Sequence, residues 1–256
     1  MNIGLIGCGN MARAMAHGWD RPMLCFDPVR ERAQALAQET GGEALSSNAE
    51  VAARADLVVL CHKPAQLASI AAEVAPAARA VASILAATPL ARLQSAYPDI
   101  PVYRFLPSLP AEVRGGAIVQ AADPKRPLGL ADSSIDTEVR ELFAELGTLV
   151  VLDDSLVDVA MGLMSCAPAY VALVAEAQVD AGTRRGIPPA QASVLVTATL
   201  AGTAELLRQR DYDTLAVRRE VTSPGGVTAR GLAALERGGL RAAFDDALDA
   251  VLGEQQ

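Results

Sequence analysis

Large rings are nearly absent from this 256-residue chain: one Trp, four Tyr and four Phe make up 4% of it. That scarcity excludes a nucleic-acid binder that stacks bases on aromatic side chains. A basic excess is missing as well. With a net charge of −8 and a pI near 4.9, no cationic surface is left to neutralise phosphates, so no nucleic-acid partner is expected. Histidine occurs only as His17 and His62, and Cys8, Cys25, Cys61 and Cys166 show no CxxC spacing. No metal site is therefore expected, and the thiols read as reduced, as in the cytoplasm. Met1-Asn2-Ile3 also lacks the basic start of a secretory leader, which again favours a cytoplasmic protein.

What the chain has in quantity is small apolar residues. The hydrophobic fraction is 51% and the mean hydropathy +0.25, which excludes intrinsic disorder. Two stretches, Val159 to Ala175 and Gly186 to Ala204, carry no charge. Ser165 and Pro168 interrupt the first, and Pro188, Pro189, Gln191 and four hydroxyl residues the second. A spanning helix wants about 20 predominantly apolar residues, so both are expected to be buried helices of a soluble protein with no membrane partner.

The pattern is α/β over residues 1–152 and all helix over 153–256. In the first part short apolar runs (Ile3 to Gly7, Met23 to Asp27, Asp56 to Cys61, Ala80 to Leu85, Pro101 to Phe105) alternate with helical patterns. Gly116 to Gln120 and Leu149 to Leu152 are weaker strands around a helix from Asp136 to Leu146. Continuous apolar strands separated by helices indicate a mainly parallel sheet covered on both faces, a Rossmann dinucleotide-binding domain. The second part reads as helices over 156–185, 189–208, 214–220, 228–237 and 240–252, with a break near Cys166 before Pro168.

The first strand runs into Gly7-Cys8-Gly9-Asn10-Met11-Ala12, a G-x-G-x-x-A that opens a helix. Gly7 permits the tight turn, Gly9 lets backbone approach a pyrophosphate, and Ala12 permits close helix–strand packing. The helix N-terminus at Asn10 and Met11 offers N–H groups and a partial positive charge. Asp27 ends the second strand about 20 residues later, where a carboxylate can accept from a ribose 2′-hydroxyl. The competing reading is a tight turn that holds no ligand. Asp27 favours NADH over NADPH, whereas Arg30 and Arg32 just beyond it suit a 2′-phosphate, so both cofactors stay open.

A second cluster, Thr222-Ser223-Pro224-Gly225-Gly226-Val227-Thr228, lies between two helices. Backbone donors, hydroxyls and a helix dipole there suit a carboxylate, and a capped interhelical turn would look the same. With the segments IGCGNMARAM, CHKP at 61–64, RFLPSLPAEVRGG at 104–116, CAPAYV at 166–171 and VTSPGGVTARGLAALERGGLRAAFDDA at 221–247, the chain resembles the pyrroline-5-carboxylate reductases along nearly its whole length. The resemblance implies hydride transfer from NAD(P)H to the imine carbon of (S)-1-pyrroline-5-carboxylate, giving L-proline in the last step of proline biosynthesis. It implies that Ser223, Gly225, Gly226, Val227 and Thr228 hold the substrate carboxylate and ring, with the Thr228 hydroxyl donating to the imine nitrogen. Lys63 and Pro64 match the segment beside the nicotinamide half of the cofactor, and Leu106, Pro107 and Ser108 the loop lining its pocket.

Several positions depart from the family pattern. Ser108 stands where asparagine is usual, Ala86-Ala87 where the strand usually ends in Ala-Gly, His62 where a small or apolar residue is usual, and Met164-Ser165-Cys166-Ala167 replaces a small, hydroxyl-rich stretch. Two alternatives therefore stand beside the main reading: reduction of a different cyclic imino acid, and a dinucleotide-binding homologue without catalysis. The resemblance also implies a homodimer through interleaved C-terminal helices, assembled further in some members, as in a decamer. On that reading the apolar surplus is dimer core, with Ala172, Ala175, Ala192, Ala198 and Gly202 letting helices approach closely.

Overall fold

The computed structural model describes residues 1–124 and 134–253. It divides into two compact units, Met1–Pro168 and Ala169–Gln256. The first contains β1 (Ile3–Ile6), α1 (Asn10–Trp19), β2 (Met23–Phe26), α2 (Arg30–Thr40), β3 (Glu43–Ala44), α3 (Asn48–Arg54) and β4 (Leu57–Leu60). It continues through α4 (Leu67–Val74), β5 (Val81–Ser83), α5 (Leu90–Ala96), β6 (Val102–Pro107), β7 (Gly116–Ala122), α6 (Ser134–Ala144), β8 (Gly147–Asp153) and α7 (Val157–Ala160). The strands form one eight-stranded sheet in the order β3-β2-β1-β4-β5-β6-β7-β8. Pairing is parallel from β3 to β6 and again between β7 and β8, while β7 runs antiparallel to β6. The strand β3 is two residues long, too short for any periodicity to announce it.

Strand alternation sorts the core into two layers. Ile3 and Leu5 of β1 with Leu57 and Val59 of β4 face α1, α2 and α6, where they meet Met15, Trp19, Leu36 and Phe143. Ile6, Val58 and Leu60 face the other way, onto Val51, Leu67, Ile70, Val74 and Leu93. Four of the nine aromatics, Trp19, Tyr103, Phe105 and Phe143, gather in the first layer. Trp19 meets Phe143 edge-to-face at 5.4 Å and donates from its indole nitrogen to the Leu142 carbonyl at 2.8 Å, while Phe143 stacks on Phe105.

The unit extends past the change of pattern at 152–153. Val157, Ala160 and Met164 pack with Leu106, Val119 and Ala121 into a third cluster, so the segment after β8 belongs to the sheet's core. At Met161–Ser165 the helix winds as a π-helix, and the Cys166 N–H reaches back to the Met161 carbonyl at 2.9 Å. The break expected near Cys166 takes this form, because Pro168 has no N–H with which to continue the regular ladder. Arg104 of β6 pins the segment: its side chain is 2% exposed and bonds Asp154 at 2.7 Å and Asp158 at 2.6 Å.

The second unit holds most of α8 (Ala167–Thr183), then α9 (Pro189–Gln209), α10 (Thr214–Glu220), α11 (Val227–Arg237) and α12 (Leu240–Leu252). The expectation of buried charge-free helices is corrected here for the single chain. No residue of α8 and only Ala192 of α9 is buried, and Leu173 and Val194 stand 64% and 69% exposed. Both charge-free regions are long and apolar enough to cross a membrane by length and composition alone.

Arg104→Ala leaves two carboxylates without their cation and removes a large buried side chain. It is expected to cost about 3 kcal/mol, near the lower end for a broken buried pair because Asp154 and Asp158 are partly exposed. Urea unfolding measures it. Arg104→Lys should recover only part, since one ammonium cannot hold both carboxylates as the guanidinium fork does.

Candidate active site

The glycine loop lies at the carboxyl ends of β1 and β4, which pair through Ile6 and Leu60. Gly7 adopts φ +94°, and a Cβ there would sit 2.8 Å from the Cys61 carbonyl carbon and oxygen and 2.9 Å from the His62 nitrogen. Only glycine fits, both for the backbone angle and for this close approach. Gly9 caps α1 and its missing Cβ faces open space, with no atom within 4 Å. Gly9 and Asn10 are exposed, Met11 is half-buried and Ala12 is buried. The first N–H satisfied inside the helix is that of Arg13, on the Gly9 carbonyl at 3.0 Å. The free helix end beside the Gly9 position fits a diphosphate.

Asp27 has a different setting from the one its spacing suggests. It is 8% exposed, and its two oxygens accept from the backbone of Cys8 at 2.8 Å and Val29 at 2.8 Å. The carboxylate thus braces the glycine loop against the turn after β2. It also lines a cavity of about 300 Å³ with Pro28, Arg30, Ala44, Leu45 and Ser46, on the side where the adenosine half of a dinucleotide belongs in this fold. Leu45 and Ser46 escaped sequence reasoning because they follow β3, the strand that could not be read.

The turn after β4 carries His62, Lys63 and Pro64. Lys63 is exposed, and its N–H donates to the Gln66 side-chain oxygen at 3.2 Å, which closes a 3-10 turn over Pro64–Gln66. His62 Nδ1 lies 2.9 Å from the Lys63 carbonyl oxygen. Burial holds the His62 pKa below the ordinary 6.5, partly offset by that hydrogen bond. The neighbouring thiols are inert: a hydrogen bond with Cys25, then burial, raises the Cys8 thiol far above its usual range, and burial raises Cys61. Both shifts disfavour a thiolate at this loop.

Ser108 is turned inward. It is 2% exposed and its hydroxyl accepts from the Ala117 N–H at 2.9 Å, so the side chain closes the β6–β7 turn and Leu106 and Pro107 are buried with it. Ala87 takes φ +48°, a left-handed conformation that favours glycine, at the position where the resembled family usually has one.

In the second unit, Ser223 to Gly226 form a turn closed by the Gly226 N–H on the Ser223 carbonyl at 3.0 Å. Pro224 takes the second position and Gly225, at φ +68°, the third, as a type II turn requires. The Ser223 hydroxyl occupies the place of a Gly226 Cβ, 2.2 Å from where that atom would lie. Gly226 then caps α11 without side-chain help, which leaves the N–H groups of Val227 and Thr228 at an open helix end, with Thr228 half-buried.

Comparison with known proteins brings these observations together. The pyrroline-5-carboxylate reductase dimerisation family matches residues 154–256, and the family described as NADP oxidoreductase, coenzyme F420-dependent, matches residues 2–87. The pyrroline-5-carboxylate reductase of Synechocystis sp. is 32% identical over 100% of this chain and 97% of its own length. The chain belongs to the pyrroline-5-carboxylate reductase family. The reductase of Thermus thermophilus is 34% identical over 98% of this chain and 95% of its own. The solved structure of 1-pyrroline-5-carboxylate reductase from Streptococcus pyogenes superposes with a TM-score of 0.85 at 27% identity, covering 99% of this chain and 97% of that one. This is a family of NAD(P)H-dependent oxidoreductases, and its dimerisation domain supports homo-oligomerisation.

Three outcomes follow for the site. Gly7→Ala should abolish dinucleotide binding in a fluorescence titration and destabilise the fold by about 2 kcal/mol through backbone strain and overlap. Ala87→Gly should stabilise by about 1 kcal/mol, read as a higher urea midpoint. The folded state also resists protonation of His62, so stability is full above about pH 6.5 and declines as the pH falls toward the lowered folded value. His62→Val should flatten that decline, measured as urea midpoints at about pH 7.5 and about pH 5.

Proposed function

We propose that the chain reduces the C=N bond of (S)-1-pyrroline-5-carboxylate to L-proline with NAD(P)H, as a cytoplasmic homodimer. The observation that carries this reading is full-length family similarity joined to an intact glycine cradle, in which the Gly9 Cβ position is open at the start of α1. The dinucleotide, when bound, supplies a hydride to the imine carbon. The cyclic imine is basic and can arrive protonated, so no strong acid is required of a protein with two histidines. The work of the chain is positioning.

Gly7, Gly9, Asn10, Met11 and Ala12 hold the diphosphate at the α1 N-terminus, and Lys63 and Pro64 flank the nicotinamide half. The Asp27 side chain on the wall of the adenosine-side cavity favours NADH over the 2′-phosphate of NADPH, with Arg30 on the same wall as the counterweight. Ser223, Gly225, Gly226 and Val227 receive the substrate carboxylate, and the Thr228 hydroxyl holds the imine nitrogen. The exposed apolar residues of α8 and α9 are covered by a second copy. A larger ring of dimers, such as a decamer, is compatible with the further exposed apolar residues Leu235, Leu240 and Phe244. A second reading, a different cyclic imino acid, is favoured by the unusual residues Ser108, Ala87 and Met164.

The test follows oxidation of NADH or NADPH with racemic pyrroline-5-carboxylate, piperideine-2-carboxylate and pyrroline-2-carboxylate. Fastest turnover with the first, and with NADH, is expected. Oxidation with none of the three overturns the enzyme, and turnover only with a six-membered or 2-carboxylate imine selects the second reading. Thr228→Val should lower kcat/KM for the imine at least tenfold while NADH affinity stays unchanged. Sedimentation at micromolar concentration should show a dimer or larger, and a monomer would contradict the covering of α8 and α9.

A further inference from the structure

The cavity of about 300 Å³ beside β2 carries Asp27, Arg30 and Ser46 on its wall, and Arg30 and Ser46 are exposed. In this fold the ribose of the adenosine half belongs there, and its 2′ substituent separates NADH from NADPH. A 2′-hydroxyl can donate one hydrogen bond, whereas a 2′-phosphate near neutral pH is mainly a dianion that accepts. The donors left on the wall therefore decide which nucleotide it suits. Ser46 has its donor committed in advance. Its Oγ lies 2.6 Å from Glu50 Oε2, and its backbone N–H donates to the same oxygen at 2.8 Å. These two bonds, the hydroxyl's first, hold the Glu50 carboxyl below its ordinary 4.5, and Arg54, 3.8 Å away, adds to them. An ionised carboxylate only accepts, so the single Ser46 proton is directed at Glu50 and Oγ has only lone pairs to offer elsewhere. Asp27 adds two accepting oxygens to the same wall, each already taking a backbone N–H.

We propose that Ser46 is a specificity-determining residue for the dinucleotide, its Oγ accepting from the ribose 2′-hydroxyl of NADH and presenting no donor to the 2′-phosphate of NADPH. Glu50 is not itself on the cavity wall. It acts through Ser46, as a positioning residue that fixes the direction of the hydroxyl. Arg30 is then the side-chain donor that the wall keeps for a phosphate, and the Ser46–Glu50 pair opposes it. This role rests on the dinucleotide-binding reading of the glycine loop. It adds the segment after β3 to the elements that select the cofactor.

The experiment uses the full-length protein with NADH and NADPH as probes, without imine. Affinities are measured by nicotinamide fluorescence for the wild type, Glu50→Gln, Ser46→Ala and the double variant. Glu50→Gln keeps the size of the side chain, and the cap of α3, in which Ser47 Oγ accepts the backbone N–H of residue 50 at 3.1 Å, does not involve it. The new amide can donate to Ser46 Oγ, which frees the hydroxyl to donate to a phosphate. NADPH affinity should then rise about tenfold relative to NADH. Ser46→Ala should weaken NADH about threefold, and in that background Glu50→Gln should no longer move the ratio of the two affinities. A ratio unmoved by Glu50→Gln alone overturns the proposal and leaves Glu50 a capping residue, seen only in the urea midpoint. An equal shift with and without the Ser46 hydroxyl also overturns it, because Glu50 would then act by its charge alone. The wild-type preference itself reports on Asp27 and Arg30, and the change on Glu50→Gln reports on Ser46, so the two readings fail separately. If the wild type binds neither nucleotide, the glycine-loop reading fails and the role of Ser46 falls with it.

Discussion

One buried cation organises the way the chain leaves its sheet. Arg104 projects from β6 and holds the Asp154 carboxylate and carbonyl with one terminal nitrogen and Asp158 with the other. The second Asp154 oxygen accepts from the Leu90 N–H at 2.9 Å, so the same carboxylate also sets the start of α5. Desolvating a guanidinium is costly, and it is offset here by two carboxylates, Asp154 in the turn after β8 and Asp158 on α7. The direction of α7 and the π-turn that follows it depend on this knot. So does the packing of Val157, Ala160 and Met164 onto β6 and β7.

The cofactor end of the same sheet obeys a related constraint, close approach of backbone to backbone. Gly7 brings the loop after β1 against the turn after β4, and Asp27 braces it from the side of β2. Three strand ends thereby share one rigid rim. A carboxylate committed to two backbone N–H groups gives geometry to the loop as well as charge to the cavity beside it. His62 follows on this rim, its Nδ1 held 2.9 Å from the Lys63 carbonyl oxygen.

Much of this was legible before any coordinates. Ala33, Leu36 and Ala37 stand at the i, i+3, i+4 spacing of one helix face, and they are buried on α2; Gly41 ends that helix at φ +66°, in the left-handed conformation that glycine adopts at helix ends. The strand runs of β1, β2, β4, β5 and β6 were found to within a residue or two because buried parallel strands are continuous in Val, Ile and Leu. The misses share a cause, partners distant along the chain. The pairing of β3 with β2, the inward turn of Ser108 onto Ala117 and the grip of Asp27 on Cys8 depend on residues outside any local window. The two charge-free helices were expected to be buried, yet the single chain leaves them open.

By itself the sequence determined the class of fold, the glycine loop, the carboxylate-suited turn at Ser223 to Thr228 and the family. These are properties of local spacing: period-two and period-3.6 apolarity, and glycines where a backbone must turn sharply or approach closely. The tertiary structure alone decided what each polar side chain does with its hydrogen bonds. It made Asp27 a brace, Ser108 a turn-closing acceptor and Arg104 a knot. Hydrogen bonds are short-ranged and directional, so their partners exist only once strands far apart in sequence stand side by side.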